Sequence, residues 1–460
     1  MPSIGVNMTK HTGRGLRRSA ALALTFLTAG AITACDVDEF LTVEDPEVAS
    51  PGSVRDPAAL PVVYAGAVRD FTYAYSGTGS IGGGGDNDSH INLSGLLTDE
   101  LLHTGTFPTR REIDLRAIPT DAPNTTSDNG TLANGYRNLH RARRAAEVGE
   151  ALFEAAGVTN VDRSKLNSLA GYTYVLFGEI YCEGVPYSSI DLDGNVTYGA
   201  PSTRAETFNR AIENFDRAIQ IAVAQGDENA EYLARVGKAR ALLNIGNVAG
   251  AAAEVANVPD DWEYVIEHDA NSAGQQNGVW AYSFNSGRYG VLDEEGGNGL
   301  PWSTDPRSPV AVNPRAAFDT DLGTYISQNK YPDRATDVVL ADGREARLIE
   351  AEAALGTGAF IGYINAARAV DGLDPVADPG SQAAQVELLF RERGHALYLT
   401  AHRLGDLRRM IRQYGYTANQ VFPSGTYFRD GLQYGNDVNL PIVVDEGNNP
   451  NFTGCLNRDA

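Results

Sequence analysis

Cysteine, methionine and tryptophan occur only three times each in these 460 residues, and positive charge is scarce: 37 Lys and Arg stand against 59 Asp and Glu, a formal charge of −22. Nucleic-acid binding needs a basic footprint, so this balance excludes nucleic acid as a natural partner and disfavours anionic lipid as a surface to bind. Beyond residue 35 no stretch approaches the roughly 20 apolar residues of a membrane-spanning helix. Catalytic signatures are missing as well. Gly77-Thr-Gly-Ser80-Ile-Gly82 has Thr78 where a nucleophile elbow needs glycine. The glycine-rich stretch lacks the Gly-Lys-Ser/Thr ending of a phosphate loop, and no His-Glu-x-x-His occurs. Asp191-Leu-Asp193-Gly-Asn195 lacks the other ligands and terminal Glu of a calcium loop and reads as a solvated turn. His395 and His402 would share a helical face, but that spacing suits ordinary packing better than a metal site. Acidic pairs such as Asp99-Glu100 are too frequent to mark a hydrolase. No catalytic residue, metal ligand or cofactor is assigned.

What is present begins at the N-terminus. Lys10, Arg14, Arg17 and Arg18 precede a short apolar run from Ala20 to Ala34, which ends in small residues and meets Cys35. Basic start, short apolar stretch and small residues are the parts of a secretory signal peptide. Ile32-Thr-Ala-Cys35 resembles a bacterial lipobox. That resemblance implies removal of residues 1–34 and lipidation of Cys35, so that acyl chains such as palmitate hold the domain on a membrane. Without the four basic residues the remainder has 33 Lys and Arg against 59 Asp and Glu, a charge of −26. The lipid would then be the only membrane attachment. Residues 35–56, acidic and carrying Pro46 and Pro51, read as a tether. Two cysteines follow, Cys182 and Cys455. In an exported chain they could form a disulfide, or be two buried unpaired thiols.

Residues 57–460 read as a single domain. Helical spacing places Leu60, Tyr64, Ala67, Val68 and Phe71 on one side of a first helix over 57–75. A flexible glycine-rich loop over 76–89 follows. From about 130 to 256 the pattern is helical, with a capping box at Thr203 and Glu206 and paired short helices around Gly246. Ala170, Gly171, Gly178, Ala239 and Ala252 recur where packed helices would approach closely. This pattern resembles tetratricopeptide helix pairs, which predicts a mainly α fold: a right-handed solenoid burying a continuous core. Residues 257–340 hold all three tryptophans (Trp262, Trp280, Trp302) and many Gly, Asn and Asp, and read as a loop-rich insertion with short strands. Helices are predicted again over 342–356, 359–370 and, as one long element, 381–413. Its charged run, Arg391-Glu-Arg393 with Arg403, Asp406, Arg408 and Arg409, reads as ion pairs that fix packing.

Several pieces stand in an order that resembles the SusD/RagB family of outer-membrane nutrient-binding lipoproteins. They are Cys35-Asp-Val-Asp-Glu-Phe-Leu41, Leu96-Leu-Thr-Asp99-Glu100, Arg110-Arg-Glu-Ile-Asp114, Ala170 through Tyr181 with Gly184-Val-Pro186-Tyr187, and Arg347-Leu-Ile-Glu350-Ala-Glu352. The sharpest is Arg391-Glu-Arg393 with His402-Arg403-Leu-Gly-Asp406-Leu-Arg408-Arg409, and Asn439-Leu-Pro441-Ile442 and Asn449-Pro450-Asn451 close the chain. His395-Ala396 replaces the family's frequent Glu-Leu, and Ala401 its frequent Gly. The resemblance implies a helical scaffold with an irregular ligand-facing part, and a binding protein rather than an enzyme. It implies an outer-membrane, surface-facing lipoprotein that captures oligosaccharide or peptide for a SusC-like TonB-dependent barrel. The competing reading is a tetratricopeptide-type interaction scaffold at the outer membrane, against which the long irregular stretch counts.

No ligand residues carry over from the family, so candidates rest on chemistry. Sugars bind flat aromatic faces flanked by amides and carboxylates. The richest stretch is Trp280-Ala-Tyr282-Ser-Phe284-Asn285-Ser-Gly-Arg288-Tyr289, with Trp302 nearby in sequence; Tyr73 and Tyr75 are a second candidate. The competing role for these rings is packing the insertion against the helices.

Overall fold

In the computed structural model the described residues are 55–80, 88–121 and 126–460. The signal segment, Cys35, the tether up to residue 54 and positions 81–87 of the glycine-rich loop lie outside them. The helices are α1 (Leu60–Tyr75), α2 (His90–Leu97), α3 (Pro108–Asp114), α4 (Gly130–Ala155), α5 (Val161–Ile180), α6 (Arg204–Gln225), α7 (Glu228–Asn244) and α8 (Val248–Val255). After the insertion come α9 (Gly343–Ala353), α10 (Phe360–Val370), α11 (Gln382–Ala396) and α12 (Arg403–Tyr414).

Local chemistry starts and stops most of them. Asn129, Asn160, Asp227, Asn247, Asp342 and Ser381 each cap a helix N-terminus with a side-chain oxygen. Thr203 and Glu206 form the expected capping box. Gly246, at φ 80°, turns the chain between α7 and α8. The helices pack in sequential pairs, α5 on α6 and α6 on α7. Their approach requires the small residues: a Cβ on Gly178 would stand 2.5 Å from the Phe208 ring, and one on Gly171 2.7 Å from Phe215. One continuous core runs from Phe71 to the C-terminus, with a satellite cluster of Leu60, Ala67, Leu152, Phe153 and Leu166 beneath α1.

Sheets are small. The strands used below are β1 (Leu102–His103), β2 (Glu263–Ile266), β3 (Tyr289–Gly290), β4 (Val310–Val312), β5 (Ile326–Gln328) and β6 (Val338–Asp342). The antiparallel β2–β6 pair fastens the two ends of the loop-rich insertion together, and β4–β5 forms a hairpin within it. Cys182 and Cys455 form a disulfide with Cα atoms 6.0 Å apart, tying the tail to the end of α5.

The single long helix expected over 381–413 is two helices. The chain breaks after Ala396 and turns through Leu399 and Ala401, at φ 52° and 60°, before α12 begins. Distant buried groups satisfy the freed backbone. The Leu399 amide donates to Glu100 Oε1 at 2.7 Å, while the Tyr75, Tyr331 and Arg240 side chains donate to the carbonyls of Thr400, Leu399 and Ala401. The charged run therefore pairs between elements as well as along them. Arg393 Nε lies 2.7 Å from Asp406, Arg409 bonds both Asp406 and Glu352, and Glu392 accepts from Arg307 and Arg368, each at 2.8 Å. Arg408 donates to three carbonyls at the end of α5, those of Gly178, Glu179 and Tyr181. Burial alone would push the Asp406 carboxyl up, but Arg393 and Arg409 hold it well below the usual carboxylate range.

Candidate functional site

The short β1–β3 pair sets the geometry of the irregular face. Its antiparallel register, Leu102 opposite Gly290 and His103 opposite Tyr289, brings the segment before α3 alongside Arg288. The Phe318 amide donates to the Gly287 carbonyl at 2.8 Å and the Asp319 amide to that of Thr104 at 3.0 Å, which adds a third segment. Gly287, at φ 64°, makes the turn, and a Cβ there would stand 3.0 Å from the Ala316 carbonyl oxygen.

These three segments build an alternating stack of aromatic rings and guanidinium groups. From the outside inward it runs Phe318, Arg288, Phe107, Arg110, Tyr282, Tyr289. Arg288 lies 3.8 Å from the Phe318 ring centre and 4.8 Å from that of Phe107; Arg110 lies 4.7 Å from Phe107 and 5.0 Å from Tyr282. Tyr282 stacks on Tyr289 with centres 5.1 Å apart. Asp88 anchors the inner end, accepting from Arg110 Nε at 2.8 Å and from the Tyr289 hydroxyl. Each ring–cation contact adds about 0.5–2 kcal/mol, most where water is excluded. The buried end is thus rigid, while Phe107 and Phe318 keep 39% and 44% of their surface exposed.

Polar groups surround the exposed end. Arg429 bonds Asp319 at 3.0 Å and the Gly105 carbonyl at 3.2 Å, and lies over Phe428. His103, buried and beside Arg429, Arg110, Arg111 and Arg288, is held well below its ordinary pKa, first by burial and then by those cations, so it stays neutral. On the other side Phe107 borders a hollow of about 430 Å³ whose wall includes Thr109, Asp128, Asn134, Arg137 and Asp445. Ring faces beside amide, carboxylate and guanidinium groups suit a ligand with flat C–H faces and a hydroxylated edge. Among the described residues no group of three or more His, Cys, Asp or Glu could hold a metal, and no helix is long and apolar enough to cross a membrane.

The structure corrects four of the six sequence candidates. Tyr75, Tyr282, Tyr289 and Trp302 are fully buried and have no ring face to offer. Tyr75 caps backbone at the α11–α12 break, Tyr282 and Tyr289 form the base of the stack, and the Trp302 indole donates to the Asp99 carbonyl at 2.6 Å. Trp280 and Tyr73 are half-buried; Trp280 packs against the core and Tyr73 lies under the Arg141 guanidinium at 4.9 Å. The stretch 280–289 does reach the irregular face, but through Arg288. Phe107 and Phe318 carry no periodic signal in the sequence, since each is a lone aromatic in its stretch of chain.

No known protein-family model matches the chain, and no curated protein matches it by sequence. Solved structures do. A SusD-like carbohydrate binding protein from Bacteroides vulgatus superposes with TM-score 0.61 at 15% identity, covering 86% of this chain and 97% of the other. A SusD/RagB family protein from Bacteroides thetaiotaomicron gives 0.57 at 14%, covering 84% and 94%. A laminarin binding SusD-like protein gives 0.54 at 15%, covering 79% and 95%.

Proposed function

We propose that this chain, which has the SusD-like fold, is a surface lipoprotein that captures a glycan on its Phe107–Phe318 face and passes it to a TonB-dependent outer-membrane transporter. The observation that carries the reading is the stack: a buried base that ends in two partly exposed rings, Phe318 at the outer end and Phe107 beside a polar hollow of about 430 Å³. Such a surface binds without chemistry, in keeping with a sequence that has no catalytic motif. Two of the structural neighbours are described as binding carbohydrate or laminarin, which favours saccharide over peptide as cargo. The lipobox-like Ile32-Thr-Ala-Cys35 supports lipid anchoring at Cys35, and the acidic surface leaves the lipid as the means of attachment.

A glycan array probed with the full-length protein in detergent tests the cargo class. The reading expects binding to at least one oligosaccharide, sharply weakened in Phe107→Ala/Phe318→Ala while the melting temperature holds. Binding to no glycan, or binding indifferent to both rings, overturns it. Delivery is tested separately by affinity capture of the tagged protein from solubilised native membranes. A large outer-membrane barrel should come down in near-equal amount, and its absence even after crosslinking refutes that step.

A further inference from the structure

A second concavity lies apart from the aromatic stack, between α1, the starts of α5 and α7, and the β2 strand with its following loop. It is a groove of about 780 Å³, within the roughly 300–1,000 Å³ range of small-molecule sites. One face of α1 forms one wall, with Tyr64, Ala65, Val68, Arg69 and Thr72 at helical spacing. Tyr264, Val265 and Glu267 line another, and Lys165 and Asn229 also face it.

His268, Gln275, Asp269 and Thr72 in the lining are hydrogen-bonded, but four polar groups there are unspent. Among the described residues the Tyr64 and Tyr264 hydroxyls, the Lys165 ammonium and the Glu267 carboxylate have no hydrogen-bond or ion-pair partner, unlike the interlocked charges around Asp406. Asn229 accepts from the Trp262 indole at 2.9 Å through its oxygen, which leaves its amide hydrogens available. Burial, aided by nearby acidic groups, pushes the Tyr264 hydroxyl up to about 12 and that of Tyr64 higher still, so both remain protonated donors. Charges of both signs line the groove, so it selects neither an anion nor a cation. Hydroxyl donors, a carboxylate, an amide and an apolar strip of Ala65, Val68 and Val265 together match a chain of sugar rings, with hydroxyls at the edge and C–H on the faces.

We propose that this groove is a second saccharide-binding site, independent of the Phe107–Phe318 face, that holds another segment of the same cargo. The inference rests on the glycan reading above. Two sites on one molecule would raise the avidity for long chains over short ones without any new contact at the first site.

The experiment uses full-length protein carrying Phe107→Ala/Phe318→Ala on the same glycan array. Residual glycan binding is expected. Adding Glu267→Gln or Lys165→Gln, both mild changes outside the core, should weaken it about tenfold each, the equivalent of one charged hydrogen bond. Tyr264→Ala should do the same; the two mild variants decide if that strand fails to fold. If wild type binds glycan but the ring-deleted protein binds none, this second site is refuted and the proposed function stands. Residual binding that ignores all three groove substitutions also refutes it. If wild type binds no glycan, both readings fall together, and a groove that takes extended peptides instead counts against the saccharide assignment.

Discussion

Arg403 and Asp99, 304 positions apart, meet in a two-pronged ion pair, Nε to Oδ1 at 2.7 Å and Nη2 to Oδ2 at 2.8 Å. Both are buried. Asp99 Oδ2 also accepts from the Leu300 amide at 2.8 Å, and its carbonyl from the Trp302 indole. One turn after α2 thereby joins the insertion and the start of α12. The Leu96–Glu100 and His402–Arg409 motifs, some 300 positions apart, thus meet at one junction.

Removing one partner strands the other charge in the interior. Arg403→Ala or Asp99→Ala should each cost about 3–5 kcal/mol of stability, and the double variant much less than the sum. Denaturant unfolding of the three proteins measures the coupling; additive losses would show that the pair contributes only bulk.

Burial pushes the Glu100 carboxyl up to about 8, with the Leu399 amide working against the shift. A raised carboxyl favours the protonated folded state, so its contribution is full below the unfolded value near 4.5 and is lost as pH rises through about 8. Glu100→Gln does not titrate. Between pH 5 and 8 the wild type should therefore lose stability relative to the variant, by at most about 1.4 kcal/mol per pH unit. Melting curves of both proteins across that range test the sign, and a difference independent of pH would contradict it.

Trp302 is a core residue, tilted against Tyr398 with ring centres 4.7 Å apart. Trp302→Ala should destabilise the fold by about 3–5 kcal/mol. Phe107→Ala and Phe318→Ala, on exposed rings, should each cost about 1 kcal/mol or less. Thermal unfolding separates the two classes, and the reverse order would mean that the roles of these rings have been exchanged.

The Cys182–Cys455 bond closes a loop of 273 positions. Its loss limits the unfolded chain less, so Cys455→Ser should cost about 2–5 kcal/mol. Reductant should lower the wild type to the level of the variant and leave the variant unmoved; equal stability of oxidised and reduced wild type would show that the crosslink does not act.

Much of the scaffold could be read along the chain because its causes are local. Asn160 caps α5 through an amide three residues on, Thr203 and Glu206 close their own box, and Gly178 is small because Phe208 must fit against it. Such signals lie within a turn or two, or in a helix period. The site was less legible. Tyr282 and Tyr289 look like ligand rings in sequence, yet Asp88 and Arg110 bury them; Phe107 and Phe318 carry no pattern, yet stand at the surface.

By itself the sequence determined most element types, the acidic balance and the absence of catalytic motifs, since each depends on neighbouring residues or on composition. Only the tertiary structure decided where α11 stops and which rings remain exposed. A break stabilised by Glu100 and Tyr75, and a stack assembled from three segments, depend on partners some 200–300 positions away, whose approach no local period encodes.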